Sequence, residues 1–93
     1  MRVQEVIEEA VRICGKYAVR RVVLFGSRAK GTALERSDID LAVSGATDFE
    51  ALREEIEEIP TLYTVDLVDL DVCRNELLLE DIAQYGREIY KAV

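Results

Sequence analysis

Histidine is missing from this sequence and cysteine is scarce, which restricts the cofactors that the chain can hold. It has no histidine and two cysteines, Cys14 and Cys73, which lie far apart and form no Cys-x-x-Cys motif. Zinc and haem sites depend on these residue types at short spacings, so the sequence argues against both. We expect both cysteines to be small residues of a hydrophobic core.

A long apolar run is also missing. No stretch approaches the roughly 20 residues that span a bilayer, and charges interrupt the apolar positions near the N-terminus, which is not the pattern of a signal peptide. We therefore expect a soluble, cytoplasmic protein. The 93 residues, 49% of them hydrophobic, predict a single domain over residues 1–93, because that length closes one core and leaves no room for a second.

Positive charge is the scarcer sign in this chain. Twelve Lys and Arg face 19 Asp and Glu, for a net charge of −7, and such a surface repels the backbone of a long nucleic acid. A small anionic ligand at one site fits the distribution better, because part of the positive charge is concentrated. The concentrated basic residues are Arg20, Arg21, Arg28, Lys30 and Arg36.

Hydrophobic periodicity predicts alternating helices and strands. Helices are predicted over 1–17 and 48–58 and after Asn75, with one helical turn after Gly26-Ser27; strands are predicted over 19–25, 38–43 and 62–70. Thr47 and Glu50 form a capping box for the helix over 48–58, and residues 86–93 are ambiguous between a short strand and a frayed extension. The order predicts an α/β (α+β) fold with a small mixed sheet of at least three strands and about four helices, because the first two strands are too closely connected for a parallel crossover.

An acidic pair opens the second predicted strand. Asp38 and Asp40 are two residues apart, so their side chains leave the same face of a strand. Two carboxylates on one face repel each other and are best stabilised by a cation. Asp66, in the third strand, is the favoured third ligand, and Asp69 is the rival that faces the other side. An all-oxygen site of this kind prefers Mg²⁺ or Mn²⁺.

A phosphate-binding turn is predicted at Gly26-Ser27, directly after a buried strand. Backbone N–H groups and the Ser27 hydroxyl can hold a phosphate there, and Gly26 lets it approach the main chain. Arg28 and Lys30 would add positive charge beside it. The turn is not a Walker A loop, because Thr32 occupies the position of the required lysine.

The segments GSRAKG, SDIDLAV and VDLVDL, with ten residues between Ser27 and Asp38, resemble the minimal nucleotidyltransferases of the DNA polymerase beta superfamily over nearly the whole chain. The resemblance implies their fold, with Gly26 and Ser27 at the nucleoside triphosphate, Asp38 and Asp40 holding two Mg²⁺ ions, and Asp66 completing the triad. Such proteins are commonly antitoxins that transfer AMP from ATP to a tyrosine hydroxyl of a HEPN toxin. We expect the same function here.

Two other functions remain open from the sequence. One is a non-catalytic antitoxin that silences its partner by contact, and the other is a nucleotidyltransferase for small molecules. Because the chain shows no acceptor domain, the acceptor surface would come from a partner or from a second copy. The run Leu77–Leu79 exceeds what one helix face buries and is a candidate interface.

Overall fold

The computed structural model describes residues 1–92, which form four helices and four strands in near alternation. Their bounds are α1 (Val3–Lys16), β1 (Arg21–Phe25), α2 (Ser27–Lys30), β2 (Ile39–Ser44), α3 (Phe49–Glu57), β3 (Val65–Asp69), α4 (Glu76–Tyr85) and β4 (Arg87–Lys91). Every predicted helix and strand is present within a few residues of its expected position. None of the helices that the structure describes is long and apolar enough to cross a membrane.

The four strands form one mixed sheet in the order β3-β2-β1-β4. β1 is antiparallel to both β2 and β4, whereas β2 and β3 are parallel. The predicted mixed sheet and the predicted fold class are therefore confirmed. The ambiguous tail forms β4, which pairs along the outer side of β1.

The two central strands are buried on both faces, as the apolar runs predicted. On one face, residues such as Val22, Leu24 and Leu41 pack into a core with α1 and α3. On the other face, Val23, Phe25 and Ala42 pack against α4 through Ile82. Because side chains alternate along a strand, Asp40 lies on the α4 face, between residues that anchor β2 to the opposite core.

The predicted capping box at Thr47 is wrong by one residue. Asp48 is the N-cap of α3, and its side chain accepts a hydrogen bond of 3.1 Å from the Ala51 N–H. The Thr47 hydroxyl instead donates to the Tyr17 carbonyl at 3.1 Å, which fastens this turn to the end of α1. A charged carboxylate is also the stronger acceptor at the positive end of a helix.

The two cysteines differ in their surroundings. Cys14 is fully buried in the core, as expected. Cys73 is only half-buried, in the turn after β3, so its assignment to the core is wrong.

The predicted N-cap of α4 is confirmed, because the Asn75 side chain accepts a hydrogen bond of 3.2 Å from the Leu78 N–H.

Candidate active site

The centre of the candidate site is a pair of carboxylates in register on neighbouring strands. Asp40 of β2 and Asp66 of β3 are direct partners in the parallel ladder, and on the other side Asp40 is paired with Phe25 of β1. Asp38 is exposed in the extended segment just before β2. The structure therefore places two of the predicted carboxylates side by side, with the third two residues away.

The charges of this group act on Asp40. Burial, the negative charges of Asp66 and Asp38 and a hydrogen bond with Asp66 together raise the pKa of Asp40 to about 6, against the opposing effect of Arg28. The half-buried carboxyl thus stands among like charges that a cation would relieve.

Asp69, the alternative third carboxylate, lies away from Asp40. It is paired with Val43 near the far end of β3, and its Oδ1 accepts a hydrogen bond of 3.0 Å from the Asp71 N–H in the following turn. Asp66 is therefore the β3 acid that stands beside Asp40.

Gly26 brings the turn after β1 against the Asp40 carboxylate. Its backbone has φ 73° and ψ −157°, a conformation that side chains strongly disfavour. A Cβ at this position would overlap Asp40 Oδ2 and lie 3.1 Å from Asp40 Cγ. The backbone of Gly26 thus lies against the Asp40 carboxylate, with the half-buried Ser27 next in the chain, and only glycine allows this approach.

Arg28 joins α2 to the segment that leads into Asp38. Its guanidinium donates to the Ser37 carbonyl at 2.7 Å and to the Glu35 carbonyl at 3.2 Å. It also lies 5.3 Å from the centre of the Tyr63 ring, a distance at which a cation is attracted to an aromatic face. The role of Arg28 as a phosphate ligand stays a prediction, and the structure shows that its guanidinium joins α2 to the loop before Asp38.

The side chain of Lys30 contacts α4. Its Nζ forms an ion pair with Asp81 at 2.8 Å and lies 5.0 Å from the centre of the Tyr85 ring. The Asp81 hydrogen bond raises the pKa of Lys30, so the ammonium is maintained. Asp81 and Tyr85 were not predicted as neighbours of the site, because a charge and an aromatic residue on a helix give no signal of which loop they meet.

The residues present suit a hard divalent cation. Asp38, Asp40 and Asp66 offer oxygen ligands alone, which is the donor set that Mg²⁺ and Mn²⁺ prefer. Within residues 1–92, no three side chains of the types Asp, Glu, His or Cys are already gathered as a metal cage. The fit to a cation therefore rests on the donor chemistry and on the repulsion around Asp40.

These features define the class of the protein. Residues 8–92 match the family model described as Polymerase beta, Nucleotidyltransferase. The chain belongs to this family, and the matched residues include the whole candidate site. No match was found among curated proteins.

Solved structures narrow the class to domains of the minimal nucleotidyltransferase type. A toxin-antitoxin crystal structure with AMP-PNP is similar at TM-score 0.71 and 26% identity, over 97% of this chain and 74% of that one. A mutant of the toxin-antitoxin MntA-HpeT matches at TM-score 0.68 and 26% identity, over 99% and 75%. A protein from Shewanella oneidensis shares the fold at TM-score 0.68 and 18% identity, over 97% and 73%.

Proposed function

We propose that this domain is an antitoxin that transfers AMP from ATP, with Mg²⁺, to a hydroxyl of a partner HEPN toxin, and that the hydroxyl belongs to a tyrosine. The observation that carries the proposal is the in-register pair Asp40 and Asp66, with the Gly26 backbone pressed against Asp40. The similarity to toxin-antitoxin structures, one of them with AMP-PNP, supports the partner class and the nucleotide.

Each residue has a defined role in the proposed reaction. The Gly26 backbone and the Ser27 hydroxyl would bind the β- and γ-phosphates, which leave as pyrophosphate. Asp38 and Asp40 would hold two Mg²⁺ ions, with Asp66 as a further ligand. Such a pair of ions stabilises both the attacking and the leaving oxygen of an in-line displacement.

Asp66 has a second proposed role, at the incoming hydroxyl. Asp40 and Asp66 form a row of carboxylates across β2 and β3, and Asp66 is its outer member. Asp66 would accept the hydroxyl proton while the hydroxyl oxygen bonds to the α-phosphorus of ATP. The bond between the α- and β-phosphates breaks, and the electron pair leaves with pyrophosphate. Arg28 would keep the turn and the Asp38 segment in place during the reaction, since it already joins them.

Transfer of label from [α-³²P]ATP to the partner toxin tests this function. We expect labelled toxin with the natural protein and Mg²⁺, and none with the Asp38→Asn, Asp40→Asn double variant. A toxin labelled equally by the double variant would refute the assignment.

The choice of Asp66 has its own matched control, because β3 carries two aspartates. Asp66→Asn should slow transfer by roughly 10²- to 10⁴-fold, as expected for loss of a general base or ligand. Asp69→Asn should leave the rate within about twofold, because Asp69 stands outside the row. The reverse order of the two rates would exclude the role proposed for Asp66.

A further inference from the structure

β3 is an edge strand whose backbone groups alternate between β2 and the outside. Among residues 1–92 its sole strand neighbour is β2. The Ile39 N–H donates to the Thr64 carbonyl at 2.9 Å, and the Leu70 N–H donates back to β2 at 2.8 Å. Because successive residues of a strand direct their backbone groups to opposite edges, Val65 and Leu67 present their N–H and C=O groups to the outer edge.

The other edge of the sheet is protected in ways that β3 is not. β4 exposes Arg87, Glu88 and Lys91, and its pairing with β1 shifts register between Val22 and Val23. Lysine and arginine side chains and irregular pairing discourage the addition of another strand. β3 has the sequence VDLVD, with three aliphatic residues and no lysine, arginine or proline. The sheet therefore has one edge open to pairing, and it is the edge that carries Asp66.

A cleft of about 300 Å³ lies at this open edge. Its lining includes the consecutive residues Val65 and Asp66, whose side chains point to opposite faces of the sheet. Val65 and Ile59 belong to the core on the α1 and α3 face of the sheet, so the cleft lies on that face, beside the start of β3. Ile59 and Tyr63 supply apolar walls and Glu57 an acidic one, so the cleft offers a mixed apolar and acidic surface next to the open edge.

The charge around the cleft selects a basic occupant. α3, which borders it, has four glutamates and one arginine in the sequence FEALREEIE, and β3 adds Asp66 and Asp69. The whole chain has a net charge of −7. A segment with lysine or arginine is attracted to such a surface, whereas a nucleic acid backbone is repelled.

The spacing of a sheet fixes what such a segment would bring to the site. Asp40 and Asp66 occupy one row across β2 and β3, and an added strand would continue that row roughly 4.8 Å beyond Asp66. The residue in that position would share the face of the two carboxylates. A hydroxyl side chain there would meet Asp66 on the side that no residue of this row occupies.

We propose that the outer edge of β3 is the docking site for the acceptor: an extended, basic segment of the partner polypeptide pairs with Val65 and Leu67 as a fifth strand and places its hydroxyl residue next to Asp66. Strand addition at an exposed edge gives affinity through the main chain and selects side chains through the adjoining cleft. The need for a hydroxyl rests on the proposed function, whereas the docking site itself rests on the sheet.

Amide hydrogen exchange, followed by NMR, tests the edge directly. The probe is a nine-residue peptide of alternating lysine and valine around a central tyrosine. In the free protein we expect fast exchange at Val65 and Leu67 and slow exchange at Asp66 and Val68. The peptide should slow the first pair at least tenfold and leave the second pair unchanged. Unchanged exchange at Val65 and Leu67, or protection that grows with protein concentration and reveals a second copy at the edge, would overturn the proposal.

Two N-methylated forms of the peptide test strand pairing without altering the protein. One form is methylated at the tyrosine and every second residue, and the other at the residues between. Only one of these sets can face β3, so one form should lose at least tenfold in affinity by fluorescence anisotropy and the other should bind like the parent. Equal affinities of the two forms would refute pairing at the edge.

The charge of the cleft has a matched pair of variants on α3. Glu57 lines the cleft and Glu54 is an exposed neighbour outside its lining. Glu57→Gln should weaken peptide binding at least threefold, and Glu54→Gln should leave it unchanged; equal effects would remove the argument from charge.

These binding measurements need no ATP, so the two proposals can fail separately. A peptide that pairs with β3 but receives no AMP from Mg-ATP, with a toxin that also stays unlabelled, would leave the docking site standing and defeat the proposed function. A labelled toxin together with equal affinity for the two methylated peptides would defeat the docking site and leave the proposed function standing.

Discussion

Replacing Gly26 by alanine should separate the geometry of the site from the stability of the fold. The backbone at this position has φ 73° and ψ −157°, which a side chain tolerates at a cost of about 1–3 kcal/mol. The new Cβ would also overlap Asp40 Oδ2 and lie 3.1 Å from Cγ. Relief of that overlap requires a shift of the carboxylate on the order of 1 Å, and a misplacement of this size reduces catalysis roughly 10²-fold.

Gly31 provides the control for backbone strain. It also has a positive φ, of 77°, but a Cβ there would meet nothing within 4 Å. Gly31→Ala should therefore lose about 1–2 kcal/mol of stability for the left-handed conformation and retain transfer activity. Gly26→Ala should lose a similar or slightly larger free energy of unfolding and, in addition, about 10² in the rate of AMP transfer.

The assay combines urea unfolding with single-turnover transfer of label from [α-³²P]ATP, and the transfer is measured without urea, where each variant is fully folded. We expect similar unfolding free energies and very different transfer rates for the two variants. Equal rates for the two alanine variants would show that contact between Gly26 and Asp40 does not position the carboxylate, and the account of the site would have to be abandoned.

Three further predictions concern groups outside the acidic pair. Burial raises the pKa of the Cys14 thiol to about 11, so at pH 8 a thiol reagent should modify Cys14 only as the protein unfolds. The half-buried Cys73 should react before unfolding, and equal rates of modification at the two cysteines would contradict the burial of Cys14. The hydrogen bond from Lys16 lowers the pKa of Glu55, so its contribution to stability is present above the unfolded pKa near 4.5 and is lost as pH falls through the lower, folded value. Glu55→Gln should flatten that part of the acid unfolding curve, and an unchanged curve would argue against the pair. Asp81→Asn removes the ion pair that joins α2 to α4; the thermal midpoint should fall slightly in low salt and converge with the natural protein in high salt, whereas a deficit independent of salt would exclude an electrostatic role.

The sequence predicted the central part of the fold because hydrophobic patterning is strongest where strands are buried. β1 and β2 are apolar on both faces, so their runs in the sequence leave little choice of structure. The tail was ambiguous for the opposite reason. β4 carries Arg87, Glu88 and Lys91 at an exposed edge, and charged residues of this kind are compatible with a strand or a frayed end.

The candidate site was predictable where its chemistry depends on residue type at short spacing. The two-residue spacing of Asp38 and Asp40 made them candidates, and the position of Asp66 among aliphatic residues made it the third. The contacts of the basic residues were not predictable, because their partners are distant in sequence. Lys30 meets α4 through Asp81, and a sequence gives no measure of which exposed charges will meet after folding.

The row formed by Asp40 and Asp66 links the folded state to its ionic surroundings. Like charges directly opposite each other oppose the pairing of two strands, so the join between β2 and β3 is weakened by the carboxylates that it positions. A cation that binds the folded chain alone stabilises it by about 2.7 kcal/mol at 100 times its dissociation constant. If the site binds Mg²⁺ as proposed, removal of divalent ions should lower the free energy of unfolding, and the pairing of the edge strand β3 with β2 is the contact that loses this support.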